Sequence, residues 1–187
     1  MRTEIRFAGI GGQGSVLAST ILAEAAGVAA GYEAVQTQFY EAAIRDGAAA
    51  GDIVLGDEPI TFPWVLAPDY LIAQHQGAIR AHLDTVKDSG VVIADTVYAR
   101  EIPETAATVY HVPLTEIADG VGIRRVANMV ALATFAKASD LISYDDLERA
   151  VLDRSPGESG AKNTEALRQG YDLNLEDYLV PTPASVA

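Results

Sequence analysis

The chain has 187 residues, of which 49% are hydrophobic and 21% charged, and a net charge of −13. That length suits one domain with a full core, and the acidic balance argues against nucleic acid as the main partner, because duplex binding needs clustered Lys and Arg. With no cysteine in the sequence, a disulfide, a Cys-ligated zinc and any iron–sulfur cluster bound by this chain are all excluded.

In chain order, Thr3–Ala8 reads as a central apolar strand. The cluster Gly9-Ile10-Gly11-Gly12-Gln13-Gly14 follows, and Gly14–Gly31 reads as an Ala-rich helix that stops at Gly31. Ala34–Phe39 is a second strand. Residues 40–51 carry no clear period and are expected to form a loop or short helix around Arg45. Asp52–Gly56 is a third strand, and prolines 59, 63 and 68 confine the next stretch to loops and edges. Asp69–Ala73, Val91–Ala94 and Thr108–Val112 are further strands, with a helix over Gln76–Lys87 between the first two. Beyond Pro113 the chain turns helical: Leu114–Gly120, Arg124–Ala138, Asp140–Asp153 with Ser143 as N-cap, a loop at 155–160, and Lys162–Tyr171. Alternating strands and helices imply an α/β domain, a mainly parallel sheet covered on both faces. His75, His82 and His111 lack a visible carboxylate cluster and read as structural. No run is long enough to span a membrane, and Met1–Glu4 leads directly into the first strand, so the chain reads as cytoplasmic.

Strand, glycine loop and helix aim backbone N–H groups and a helix N-terminus at an anion. Gly9-x-Gly11-x-x-Gly14 also fits the literal dinucleotide fingerprint. The bland alternative is a tight turn whose glycines only let the helix pack on the sheet. The dinucleotide form wants an acid near the end of the second strand, about 20 residues on. Here the acid, Glu33, stands at the start, and the end carries Gln36 and Gln38, which disfavours NAD or FAD.

The glycine motif does not stand alone. Ile10-Gly-Gly-Gln-Gly14 is followed by Gln38-Phe39-Tyr40, Arg45-Asp46-Gly47-Ala48, Gly56-Asp57-Glu58-Pro59-Ile60, Val126-Ala127-Asn128-Met129 and Asn163-Thr164-Glu165-Ala166-Leu167 with Gly170-Tyr171. This ordered set resembles the gamma subunit of the 2-oxoacid:acceptor oxidoreductases, which include pyruvate:ferredoxin oxidoreductase. The resemblance covers about residues 4–172. It implies a Rossmann-like three-layer domain over residues 1–172, C-terminal helices included, and an extended tail over 173–187. One departure is Asp46, which adds a charge where the family usually carries glycine after the arginine.

The resemblance further implies a complex that oxidatively decarboxylates a 2-oxoacid with CoA to acyl-CoA and CO2. Thiamine diphosphate, magnesium and [4Fe-4S] clusters are then held by alpha, beta and ferredoxin-like delta subunits, with an NAD-reducing flavoprotein subunit as a further possible partner. The gamma unit holds the assembly together and helps to cover the CoA side. On that reading Gly11, Gly12, Gln13, Gly14 and Arg45 are the CoA-side candidates. Arg124 and Arg125 start a helix, where the dipole disfavours cations, and call for an acid, a phosphate or a partner chain. Asn128 and Asn163 are read as capping or interface hydrogen-bonders. Asp95, at a strand end, reads as a turn cap near the crevice. A stand-alone nucleotide-binding protein and a purely architectural subunit remain as alternatives.

Overall fold

The computed structural model describes residues 1–41, 47–155 and 157–181. Arg45 and Asp46 lie outside the described residues. Among the described residues, six strands form one sheet: β1 Arg2–Ile10, β2 Glu33–Tyr40, β3 Ala48–Gly56, β4 Tyr70–Ala73, β5 Val91–Asp95 and β6 Thr108–Val112. Their order is β2-β3-β1-β4-β5-β6. Strands β1, β4, β5 and β6 are parallel neighbours, and β3 runs antiparallel between β1 and β2. The sheet is therefore mixed and mostly parallel. Its central strands are apolar on both sides: Leu71, Ile72, Val92 and Ile93 are all 0% exposed, as expected where both faces are covered.

Five helices share one face: α1 Ser15–Glu24, α3 Leu114–Val121, α4 Ala127–Ser139, α5 Tyr144–Arg154 and α6 Glu158–Tyr171. Helix α4 is buried continuously from Asn128 to Ala136. Its Phe135 meets Phe7 of β1 and Tyr70 of β4 edge-on, at ring separations of 6.0 and 5.1 Å. Helix α1 lies on β3 at Gly51, where a Cβ would collide with the Ser19 side chain. The other face carries α2, Gln76–His82.

Several boundaries differ from the sequence reading. Helix α1 closes in a π-helical turn, Ala25–Ala29, rather than running regularly to Gly31. Residues 48–51, expected in a loop or short helix, open β3; the ladder to β1 pairs Ile10 with Ala48 and outweighs the low strand propensity of alanine and glycine. Arg124–Val126 is a 3-10 turn ahead of α4, not part of it. Asp140 adopts a left-handed conformation that ends α4, so α5 starts at Tyr144, capped by Ser143 as read. Helix α6 begins at Glu158, four residues before the expected start. Beyond residue 172, Leu175–Tyr178 forms a 3-10 turn, and Leu179 bridges to Tyr110 on the outer edge of β6.

On the α2 face, Arg6 and Asp52 stand opposite each other in the β1–β3 register and form a two-pronged ion pair at 2.7 and 2.6 Å. The other guanidinium prong reaches His82 Nδ1 at 3.3 Å. An Arg can only donate, so this ring nitrogen accepts, and protonation would destroy the contact. Burial, and then the Arg6 cation, hold the His82 imidazole below its usual range. A base with a depressed folded pKa takes up protons more readily when unfolded, so stability falls as pH drops below the unfolded value of about 6.5. The melting temperature is therefore expected to fall between pH 7 and pH 5.5. His82→Asn, which keeps an acceptor without a titrating group, flattens that slope in a pH series of thermal melts.

Candidate functional site

The carboxyl ends of β1, β4 and β5 open onto one cleft. Connections leave β1 toward α1 and leave β4 toward α2, on opposite faces, so the gap between β1 and β4 is the switch point where open α/β sheets bind ligands. The cleft encloses about 260 Å³. Its floor is Ile10, Gln13, Gln74 and Asp95, and its mouth is framed by His75, Tyr98, Arg124 and Arg125.

The glycine loop is fixed by a short side-chain network. Gln13 Oε1 accepts from Ile10 N at 2.9 Å, and Gln13 Nε2 donates to Gln74 O at 2.9 Å. Gln74 returns a bond from Nε2 to Gln13 O, and its Oε1 accepts from Ser15 Oγ at 2.7 Å. The Gln13 amide thus works on the neighbouring backbone. Gly11 N donates to Gly47 O and Gln13 N to Ile10 O, while Gly12, at φ 91°, is exposed at the cleft. Gly14 caps α1 at φ 77°. Its carbonyl accepts from Asn128 Nδ2 at 3.2 Å, and a Cβ there would come within 2.5 Å of that nitrogen.

The N-terminal ends of α1, α3 and α4 all face the cleft, giving it a positive bias. Buried Asp95 takes up part of it. It accepts from Thr115 N and from Thr115 Oγ1 at 3.2 and 2.5 Å, capping α3 from the end of β5. Arg124 forks onto Asp119 and reaches Tyr98 OH at 3.2 Å, latching the mouth between the β5 exit and α3. Arg125 is exposed on the cleft rim and has no ion-pair partner among the described residues. It is the feature best placed to meet an anion.

Of the other sites read from sequence, Asn128 is 3% exposed and makes its contact within the chain. Asn163 is half-buried and donates to Ser155 Oγ at 3.1 Å, away from the cleft. His75 accepts from Gly77 N at the start of α2, and His111 Nε2 lies 3.0 Å from Ala99 O. Gln74, Tyr98 and Thr115 belong to no sequence motif. The available signal was positional, since Gln74 directly follows a buried parallel strand.

The arrangement also bears on dinucleotide binding. Strand β3 lies between β1 and β2, which puts the end of β2 about 10 Å from β1 at ordinary strand spacing. The ribose-binding position of the dinucleotide fold is therefore displaced, and Glu41, the acid that follows β2, accepts from Ala48 N.

A profile of the family "Pyruvate ferredoxin/flavodoxin oxidoreductase" matches residues 4–173. The 2-oxoglutarate synthase subunit KorC of Methanocaldococcus jannaschii is 40% identical over 179 residues, covering 94% of this chain and 96% of that one. The chain belongs to that family. It is a gamma-type member, since the crystal structure of the gamma subunit of a keto/oxoacid ferredoxin oxidoreductase from Geobacter sulfurreducens superposes with a TM-score of 0.85. That protein is 30% identical, and the match covers 96% of this chain and 99% of that one. A 2-oxoglutarate:ferredoxin oxidoreductase from Magnetococcus marinus, solved with 2-oxoglutarate, coenzyme A and succinyl-CoA, matches at TM-score 0.84 and 25% identity; this chain spans 32% of its length.

For this gamma-type chain, Gly14 is the joint between α1 and α4. Gly14→Ala is expected to cost about 1–3 kcal/mol, from left-handed strain and the Asn128 contact. Urea unfolding checks it, and adding Asn128→Ala should recover part of the loss. A change within about 0.5 kcal/mol, the range of an ordinary surface substitution, would mean the joint tolerates a side chain.

Proposed function

We propose that this chain serves as the gamma subunit of a multisubunit 2-oxoacid:acceptor oxidoreductase that converts a 2-oxoacid and CoA to acyl-CoA and CO2. Its own part is assembly and the covering of the CoA side. The observation that carries this is the cleft at the β1–β4 switch point, where Arg125, without an ion-pair partner among the described residues, shares the lining with Gly12 and Gln13 of the glycine loop. A diphosphate is the ligand chemistry such a rim favours: a planar guanidinium grips phosphate oxygens in two-pronged fashion, and helix N–H groups add to it. The bound CoA of the Magnetococcus marinus relative supports the same ligand.

Thiamine diphosphate and the clusters, which supply the decarboxylation and the electron path, belong on this reading to the alpha, beta and delta partners. The chain has no cysteine for a cluster, and its described residues bring no three metal-ligating side chains together. This chain's residues bind and orient. Arg124, held by Asp119 and Tyr98, keeps the mouth open at a fixed width, while Arg125 and the Gly12 backbone meet the anion. Arg45 belongs to the same proposal from the family pattern. The oxoacid to screen first is 2-oxoglutarate, after the Methanocaldococcus jannaschii relative.

In the assembled enzyme, Arg125→Ala is expected to raise the KM for CoA about tenfold, one charge-assisted contact, while kcat stays within twofold. Steady-state kinetics with saturating oxoacid measures both. Unchanged KM and kcat would favour the purely architectural subunit.

A further inference from the structure

Between β3 and β4 the chain crosses the α2-side face of β1 as an extended strap, residues 60–68. Its side chains alternate. Val65 is 6% exposed, whereas Phe62, Trp64 and Leu66 are 46%, 57% and 67% exposed. The strap's backbone is pinned from below by the polar row of β1. Arg2 donates to Phe62 O and Trp64 O at 2.8 and 3.1 Å, and Arg6 donates to Val65 O at 3.2 Å. Glu4 accepts from Leu66 N and Ala67 N at 2.8 and 3.2 Å. The Arg2 guanidinium also stacks against the Phe62 ring. Scattered exposed apolar side chains need no explanation, but a row of three large ones, fixed in place by five hydrogen bonds, does. Phe39, 60% exposed, extends the same sheet face, because its register partner Ala50 lies beside Ala8 on the Arg6 side.

The surroundings of the row narrow its occupant. The cations beneath it are already taken, Arg2 by Glu4 and Arg6 by Asp52. Its ends are acidic. Glu58 precedes the strap beside Asp57, which pairs with the N-terminal ammonium, and Asp88 adjoins its far end, where Lys87 N donates to Pro68 O and the Lys87 ammonium is held by Asp69. A second copy would set these acidic ends against each other on chains of net charge −13. A surface with an apolar groove and a Lys/Arg rim fits instead.

We propose that Phe62, Trp64 and Leu66 form the chief contact of this chain with a neighbouring subunit whose docking groove is apolar and rimmed by basic residues. The proposal rests on the gamma-subunit reading above. The strap lies over Arg2, Glu4 and Arg6 at the N-terminal half of β1, while the cleft opens at the other end of the strands, so docking leaves the cleft accessible.

The test is anaerobic capture of the tagged full chain from its native host, with partner subunits identified by mass and scored for thiamine diphosphate and iron. The wild-type chain should bring down the thiamine- and iron-bearing subunits. Trp64→Ser with Leu66→Ser should lower their recovery at least tenfold at an unchanged melting temperature, and Leu152→Ser, an exposed apolar residue on α5, should not. Should the double variant melt earlier, Glu58→Lys with Asp88→Lys, which touches no apolar contact, carries the test and should also lower recovery. Equal recovery by the wild type and the strap variants would overturn the strap proposal and leave the gamma-subunit reading standing. No capture by the wild type would sink that reading and this proposal with it. An isolated chain that sediments as a dimer, and becomes monomeric in the strap variant, would make a second copy the occupant and overturn the proposal.

Discussion

The cleft depends on the reciprocal bonds between Gln13 and Gln74. A glycine loop has little side-chain mass to hold its own shape, and each glycine adds freedom that folding must remove. Here one glutamine within the loop uses both ends of its amide, on Ile10 N and on Gln74 O. A second glutamine, 3% exposed at the end of β4, closes the circuit through Gln13 O and Ser15 Oγ. Every polar atom of the pair that is buried between β1 and β4 is thereby satisfied, which removes the penalty of burying two amides. The consequence is a loop set in one position across the switch point, with Gly12 at the cleft. Gln13 is thus a scaffold for the site.

Electrostatics then distinguishes this cleft from the rest of the molecule. The chain is strongly acidic, yet three helix N-termini and two arginines converge at its mouth. Arg124 is neutralised by Asp119, and the pair serves as a strut that ends on Tyr98. Arg125 keeps its charge available. Asp95 lies deeper and spends its carboxylate on the α3 N-terminus. The result is a small cationic rim on an anionic body, which focuses attraction for a negative ligand at one place.

Much of this was legible in the sequence because local rules and tertiary contacts agree there. Strand β1, the glycine loop and the start of α1 follow from apolar residues, glycines and alanines in succession, and Ser143 announces α5. Strand β3 was harder. Ala48-Ala49-Ala50-Gly51 has no strand propensity, and only its pairing with β1 on one side and β2 on the other makes it extended. The antiparallel insertion of β3 was hidden for the same reason, since alternating elements suggest parallel neighbours. The prolines at 59, 63 and 68 say only that the strap belongs to loops and edges. Its fixed geometry depends on Arg2, Glu4 and Arg6, which lie some sixty residues earlier in the chain. Asn128 and Gln74 show the same limit: a polar residue in an apolar run signals a role, and only the fold reveals its partner.

The central claim is that the cleft between the glycine loop and Arg125 covers CoA in the assembled enzyme. Amide hydrogen exchange on the intact complex, with and without CoA, tests it most directly. The account predicts slower exchange with CoA at residues 11–16 and 124–128, with the α5–α6 region unchanged. Slowing confined to other subunits, with 11–16 and 124–128 unaffected at saturating CoA, would contradict it and leave the glycine loop as a packing device.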